Sequence, residues 1–365
     1  MMLSSPVNPR EPASHPTFFA IRAISGLSTV APAERKGAEG EMASDLATGT
    51  ERMARGVDAP IAPDKSAARV WALLGPRRGD NNQVLALAEA LGLTFEVKQL
   101  AYNNWRHLRP GLLGERLLSL TAQSRRAIDG PPPELVISTG IRAVPVARAI
   151  RRRSQGRTKL VHLGAPRVPV AHFDLVVPTP EYDVEDAPNV VRIPVALTRA
   201  DHPQQDGEPT TLISIGGDTL YWRLHPRDVL DQLDRLGDSM IVALSARTGP
   251  DLARMLRDRS FRLIEADDGA GYRRALLCAD RIFVTADSVA MISDAVARGR
   301  FAGMIPLRPS ALGRVMMALN DALRPGRRLR PRDMRFFWKA LGDSPAGQPI
   351  DPKSRIRDLV LKLLQ

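Results

Sequence analysis

Between residues 279 and 299 the chain reads Ala-Asp-Arg-Ile-Phe-Val-Thr-Ala-Asp-Ser-Val-Ala-Met-Ile-Ser-Asp-Ala-Val-Ala-Arg-Gly, and few folds accommodate that order. The apolar run over 281–284 is what a parallel sheet buries on both faces. Thr285, Ala286, Asp287 and Ser288 then place hydroxyls and a carboxylate at the strand's carboxyl end. A helix is expected over 289–298, closed by Gly299. The N-terminus of such a helix presents free N–H groups and a partial positive charge, which suits a phosphate. The same residues also describe an ordinary strand-to-helix turn in which Asp287 or Ser288 caps the helix.

The pattern repeats along the chain. A strand is expected over 70–74, then a polar loop over 75–83, and a helix whose apolar face is Val84, Leu85, Leu87, Ala88 and Leu91. A second strand over 94–98 completes a βαβ unit, and with it a parallel sheet. The spacing predicts a helix holding Arg116, Leu117, Leu118, Leu120, Arg125 and Arg126, and one opening at 139–142. Upstream of the first, Trp105, Arg106, Leu108 and Arg109 lie close together, as in a membrane-surface patch or beside the solvated face of a buried helix. Further strands are expected over 135–138, 159–163, 173–177 and 190–193. After a polar, Pro-containing gap the repeat restarts with strands over 211–215, 240–244, 261–264, 281–284 and 301–305.

This gives an α/β fold of two Rossmann-like domains facing across a cleft. The expected boundaries are a disordered extension over 1–66, a first domain over 67–200, a linker over 201–209 and a second domain over 210–345. A C-terminal helix in 346–365 is expected to pack back toward the first domain.

Charge and side-chain usage narrow the partners. The formal net charge of +12 favours acidic ones: nucleic acid, anionic lipid or phosphorylated ligands. Aromatics make up only 5% of the chain and no base-stacking motif occurs, which turns the expectation away from nucleic acid. A single cysteine, Cys278, rules out an internal disulfide framework and fits a reducing compartment. His162 and His172 lack metal-site spacing, so no metal is expected. No run of 18 apolar residues suggests a membrane span.

Three loops in the second half fall at strand carboxyl ends, the edge where open α/β sheets bind ligands. They hold Gly216, Gly217, Asp218 and Thr219; Ser245, Arg247 and Thr248; and Thr285, Asp287 and Ser288. The glycines would let backbone N–H groups approach a phosphate, the hydroxyls would add donors, and Arg247 would fork onto a pyrophosphate. The dinucleotide fingerprint after the first strand, the Walker A loop and the Gly-x-Ser-x-Gly elbow are all absent, arguing against NAD or FAD binding there, P-loop ATPases and that class of hydrolase.

Together Gly79-Asp80-Asn81-Asn82-Gln83, His162-Leu163-Gly164, Phe173 to Pro178, Ile215-Gly216-Gly217, Ser245 to Thr248 and Val284 to Ser288 resemble the mitochondrial-fission Elm family over about 69–364. The second half is also similar to GT-B glycosyltransferases, above all the enzyme that adds N-acetylglucosamine to lipid I. That resemblance implies a metal-independent transferase using a nucleotide sugar as substrate, with no cofactor. It would act at the cytoplasmic face of the inner membrane on a lipid-linked or anionic acceptor. The nucleotide sugar would lie on the second domain and the acceptor on the first. Asp294, one methylene shorter than the family's glutamate, matches the ribose-binding carboxylate, and Gly216-Gly217 the phosphate-side turn. Where the similar enzyme has a histidine-bearing loop, this chain has Arg77, Arg78 and Asp80. Asp80 is the candidate general base or else the helix N-cap, and Arg77, Arg78, Asn81, Asn82 and Gln83 are candidates for the acceptor. The family also admits a non-catalytic membrane-associated adaptor, and the shared architecture a nucleotide-sugar 2-epimerase.

Overall fold

In the computed structural model, which describes residues 70–199, 210–237, 239–323, 332–342 and 349–365, the repeats become two five-stranded parallel sheets. The first contains β1 (Val70–Leu74), β2 (Phe95–Gln99), β3 (Leu135–Thr139), β4 (Lys159–Leu163) and β5 (Leu175–Val177), in the order β2-β1-β3-β4-β5. Its helices are α1 (Arg78–Ala90), α2 (Pro110–Leu113), α3 (Ala122–Ala127) and α4 (Val144–Arg153). The second half runs β6 (Thr211–Ile215), β7 (Trp222–Arg223), α5 (Pro226–Leu236), β8 (Met240–Leu244), α6 (Pro250–Arg257), β9 (Arg262–Ile264), α7 (Gly269–Cys278), β10 (Arg281–Thr285), α8 (Val289–Ala297), β11 (Phe301–Ile305) and β12 (Arg308–Pro309). Its main sheet has the order β11-β10-β6-β8-β9, while β7 and β12 pair as a short antiparallel ribbon. Then α9 (Ala311–Ala322), α10 (Met334–Gly342) and α11 (Lys353–Leu364) close the chain.

Strand composition explains the layering. All five residues of β1 are buried, so helices must cover both faces of its sheet. Val70, Ala72 and Leu74 point into one apolar cluster with Val84 and Leu87 of α1, and Trp71 and Leu73 into another with Val146 and Ile150 of α4. Ile356 and Val360 of α11 lie in the α1 cluster, so the end of the chain completes the first core. Met334 and Phe337 of α10 belong to the second core. Val195 and Ala196 already pack in the second core while Ile193 and Leu197 pack in the first, so the crossing begins before residue 200. The expected extension over 1–66 and linker over 201–209 lie outside the described residues.

These strand orders fix where a ligand can enter. In each sheet the connections leave toward opposite faces at one place, opening a crevice at the strand carboxyl ends. That place lies between β1 and β3 in the first sheet, and between β6 and β10 in the second.

Three local expectations are corrected. Residues 116–120 are not helical. Gly114 takes φ 60°, which ends α2, and the chain returns to bridge Leu120 with Tyr102 before Thr121 caps α3. Residues 190–193 form one bridge, Val176 with Val190, rather than a strand, with Pro188 and Pro194 flanking the segment. The helix expected to open at 139–142 starts at Val144, after a turn. Among the described residues no helix is long and apolar enough to cross a membrane.

Because Ile356 is fully buried against the first core, Ile356→Ala should cost about 2–5 kcal/mol in urea unfolding. A loss under about 1 kcal/mol would mean that α11 does not support that core.

Candidate active site

At the β6/β10 crevice the chain turns its polar groups inward. The Gly216 N–H donates to Thr285 Oγ1 at 2.7 Å, and the Thr285 hydroxyl donates to Asp287 Oδ1 at 2.6 Å. The Gly217 N–H donates to Asp287 Oδ2 at 3.2 Å, and Arg247 Nη2 meets the same oxygen at 2.7 Å. Asp287 is buried, and both glycines are required by this closeness. A Cβ on Gly216 would run into the Asp287 carboxylate, and one on Gly217 into the Arg247 carbonyl. Thr248 Oγ1 lies 2.9 Å from the Gly216 carbonyl and accepts from the Ser245 N–H at 3.0 Å. The three loops therefore meet, but they bind one another.

The Gly216 and Gly217 amides, expected to cradle a phosphate, already donate to Thr285 and Asp287. Asp218 accepts from the Leu224 N–H and Thr219 Oγ1 from the Trp222 N–H, so both shape the turn into β7. Ser288 caps α8, accepting from the Met291 N–H at 3.4 Å. Asp294 lies 3.6 Å from Arg298 Nη1 and beside the half-buried Tyr272, whose hydroxyl is pushed up to about 12, first by burial and then by Asp294. Arg247, though paired with Asp287, keeps 44% of its side chain exposed.

The β1/β3 crevice is arranged differently. α1 begins directly after β1, at Arg78, with Arg77 as N-cap residue and no side-chain cap bond. Asp80 is therefore not the cap; it sits in the first turn of the helix, half-buried. Burial raises its pKa above the usual carboxylate range, against the opposing pull of Arg77 and Arg332. Its Oδ2 is 3.7 Å from where a Cβ on Gly140, at the end of β3, would stand. Asn81 is committed to the loop: its side chain accepts from the Gly75 N–H at 2.8 Å and donates to the Gly75 carbonyl at 2.9 Å. Arg77, Arg78 and Asn82 are exposed and Gln83 is half-buried.

Two further groups, Tyr182 and Arg332, act on Asp80 electrostatically, and Glu181 joins them through Arg332; sequence reading missed all three. Glu181 and Tyr182 follow β5, and Arg332 precedes α10. Arg332 Nη2 donates to Glu181 Oε1 at 3.2 Å, and the guanidinium lies 5.4 Å from the Tyr182 ring centre. The Asp333 N–H donates to the Glu181 carbonyl at 2.9 Å. Burial raises the Tyr182 hydroxyl pKa; Arg332 lowers it, while Glu181 and Asp80 raise it further. Burial would weaken the charge on Arg332, but Tyr182, Glu181 and Asp80 beside it hold its pKa above the ordinary value. The available signal was position: the run Pro178-Thr179-Pro180-Glu181-Tyr182 begins at a strand's carboxyl end.

The two edges are joined. The first turns of α1 and α8 meet, with the site of a Cβ on Gly79 only 3.0 Å from Ala290 Cβ. Arg78 Nη1 reaches within 3.2 Å of the corresponding site on Gly269, at the start of α7. Trp338 Nε1 donates to the Ala286 carbonyl at 2.9 Å, so the segment carrying Arg332 touches both crevices. Two positive helix ends thus come together beside a carboxylate with a raised pKa. His162 and Ser138, 3.0 Å apart, mimic a catalytic pair, but both are fully buried between β3 and β4. Burial pushes the His162 pKa down to about 3, leaving it a neutral structural group.

Residues 78–363 match the family model described as "Mitochondrial fission ELM1". An uncharacterized protein of Rickettsia prowazekii (strain Madrid E) is 27% identical over 118 residues, which is 32% of this chain and 33% of that protein. The chain thus spans about a third of the length of that curated relative. Among solved structures, Acinetobacter baumannii MurG aligns with 81% of this chain and 99% of its own, at 15% identity and TM-score 0.43. The glycosyltransferase SnogD of Streptomyces nogalater aligns with 81% and 100%, at 13% identity and TM-score 0.42.

Asp287→Ala strands the Gly217 N–H and the Thr285 hydroxyl, and should cost about 2–4 kcal/mol in denaturant unfolding. A cost near zero would mean that the three loops are not held by this carboxylate. Asp80 has the opposite sign. A carboxylate with a raised folded-state pKa binds its proton more tightly when folded, so its contribution to stability falls as pH rises through that window. Asp80→Asn should therefore raise the melting temperature near neutral pH, and the gain should shrink as pH approaches the ordinary carboxylate range. A gain independent of pH would contradict the shift.

Proposed function

The chain belongs to the mitochondrial fission ELM1 family, and within that family we propose that it acts as a nucleotide-sugar-dependent glycosyltransferase of the GT-B kind. The observation that carries this reading is Asp80, a half-buried carboxylate with a raised pKa at the β1/β3 crevice, where the first turns of α1 and α8 meet. When an acceptor hydroxyl attacks the anomeric carbon, Asp80 takes its proton. A base whose pKa is lifted toward the working pH is suited to that step. The donor lies toward the second half, with Asp294 on the ribose side. The leaving diphosphate is met by the exposed portion of Arg247, by Arg78 and by the positive end of α8. These fixed charges do the work that a metal does elsewhere.

The acceptor side is the first half. Trp105, Leu108, Leu112 and Leu118 are exposed there, amid Arg106, Arg109 and Arg116. An apolar and basic face of this kind suits the anionic surface of a membrane and a lipid-linked acceptor. One observation favours the second reading, a non-catalytic adaptor: the Gly216 and Gly217 amides are already occupied.

Melting the full chain with UDP, GDP, CDP, ADP and dTDP separates the two. A binder at hundredfold excess over its dissociation constant stabilises by about 2.7 kcal/mol, and at least one of the five should do so. Asp80→Asn should leave that shift in place and lower transfer by about 10²–10⁴. Silence from all five nucleotides would favour the adaptor.

A further inference from the structure

We propose that Glu181, Arg332, Tyr182 and Asp80 line a subsite for the hydroxyls of a neutral sugar, not for a phosphate. Glu181 is 2% exposed, the most deeply buried carboxylate in the first half's described residues. Its Oε1 is met by Arg332, but its Oε2 is buried with no hydrogen-bond partner among the described residues. The same holds for Nε of Arg332. One ion pair thus offers a buried acceptor and a buried donor, both unused. A buried polar atom left unpaired is costly, and more so when charged, so the pair is built for something that fills both.

The unmet atoms choose the ligand's chemistry. The dianion of a phosphate monoester has only acceptors and cannot satisfy Glu181 Oε2, and any phosphate, the inorganic ion included, would lie against two carboxylates, Asp80 and Glu181. Arg77 and Arg332 balance those two charges and leave the site neutral. A sugar hydroxyl donates once and accepts twice. Neighbouring ring hydroxyls can donate to Glu181 Oε2 and accept from Arg332 Nε. The half-buried Tyr182 hydroxyl closes the same space, and Asp80 faces the hydroxyl that reacts. This deepens the transferase reading by giving the acceptor a neutral sugar ring beside the base, and it rests on that reading only for the role of Asp80.

The test is saturation-transfer NMR on the full chain, with the methyl glycosides of glucose, galactose and N-acetylglucosamine as probes and inorganic phosphate as competitor. At least one glycoside should bind and should resist phosphate. Its affinity should fall about tenfold or more in Glu181→Gln, the factor expected from one lost charge-assisted hydrogen bond. Arg332→Lys, which keeps the charge and removes Nε, should weaken it in the same direction, and melting curves establish that both variants fold. Three results would each overturn the proposal: no glycoside binds, phosphate displaces it, or both variants bind as tightly as the wild type because water only meets these atoms. Glycoside binding that depends on Glu181 in a protein that no nucleoside diphosphate stabilises would keep the subsite and remove the transferase reading. Nucleotide stabilisation without glycoside binding would do the reverse.

Discussion

Three loops of the second half converge on one side chain, Asp287. It receives the Gly217 amide, the Thr285 hydroxyl and the Arg247 guanidinium, and so ties together the loops after β6, β8 and β10. A buried carboxylate is tolerable only when its oxygens are this fully met. The closeness demanded of Gly216 and Gly217 follows from it, as does the position of α8, which starts two residues later. Through the Ala286 carbonyl the same loop receives Trp338, and so fixes the segment that brings Arg332 to the first sheet.

The consequence is an asymmetric pair of crevices. Both sheets present a switch point at their carboxyl ends, but the second has filled its own with Asp287 and Thr285, whereas the first lines its own with groups that have unmet bonds. Electrostatics divides in the same way. In the second sheet's crevice cation and anion are matched within the protein. In the first, burial lifts the pKa of Asp80 and Tyr182, and two atoms of the Glu181–Arg332 pair are left without partners among the described residues. A ligand between the halves would take charge stabilisation from Arg247, Arg78 and the helix ends, and proton chemistry from the first half.

The sheet class was legible because strands such as β1, β3, β6, β8 and β10 are short apolar runs followed by a polar loop and a helix, a pattern that few folds accept. Leu117, Leu118 and Leu120 misled because their spacing fits a helix, whereas Gly114 ends α2 and Leu120 is buried beneath a loop instead. The loops holding Gly216, Arg247 and Asp287 were found from sequence, but not the direction in which their polar groups turn, since a glycine amide reads the same whether it meets a phosphate or a carboxylate. Glu181 and Arg332 are 151 positions apart, so no local spacing could have joined them. Asp80 was found by its place after β1, while its burial comes from groups that the topology brings to it.

The account depends on Asp80 carrying a proton further up the pH scale than an ordinary aspartate does. Carbon-13 NMR titration of the side-chain carboxyls, with the Asp80 resonance identified by its loss in Asp80→Asn, measures this directly. The account predicts a midpoint above 3.8, the ordinary value of an aspartate, moving higher still when Arg332 is replaced by glutamine and its stabilising charge is removed. A midpoint at or below 3.8 in the wild type would contradict it.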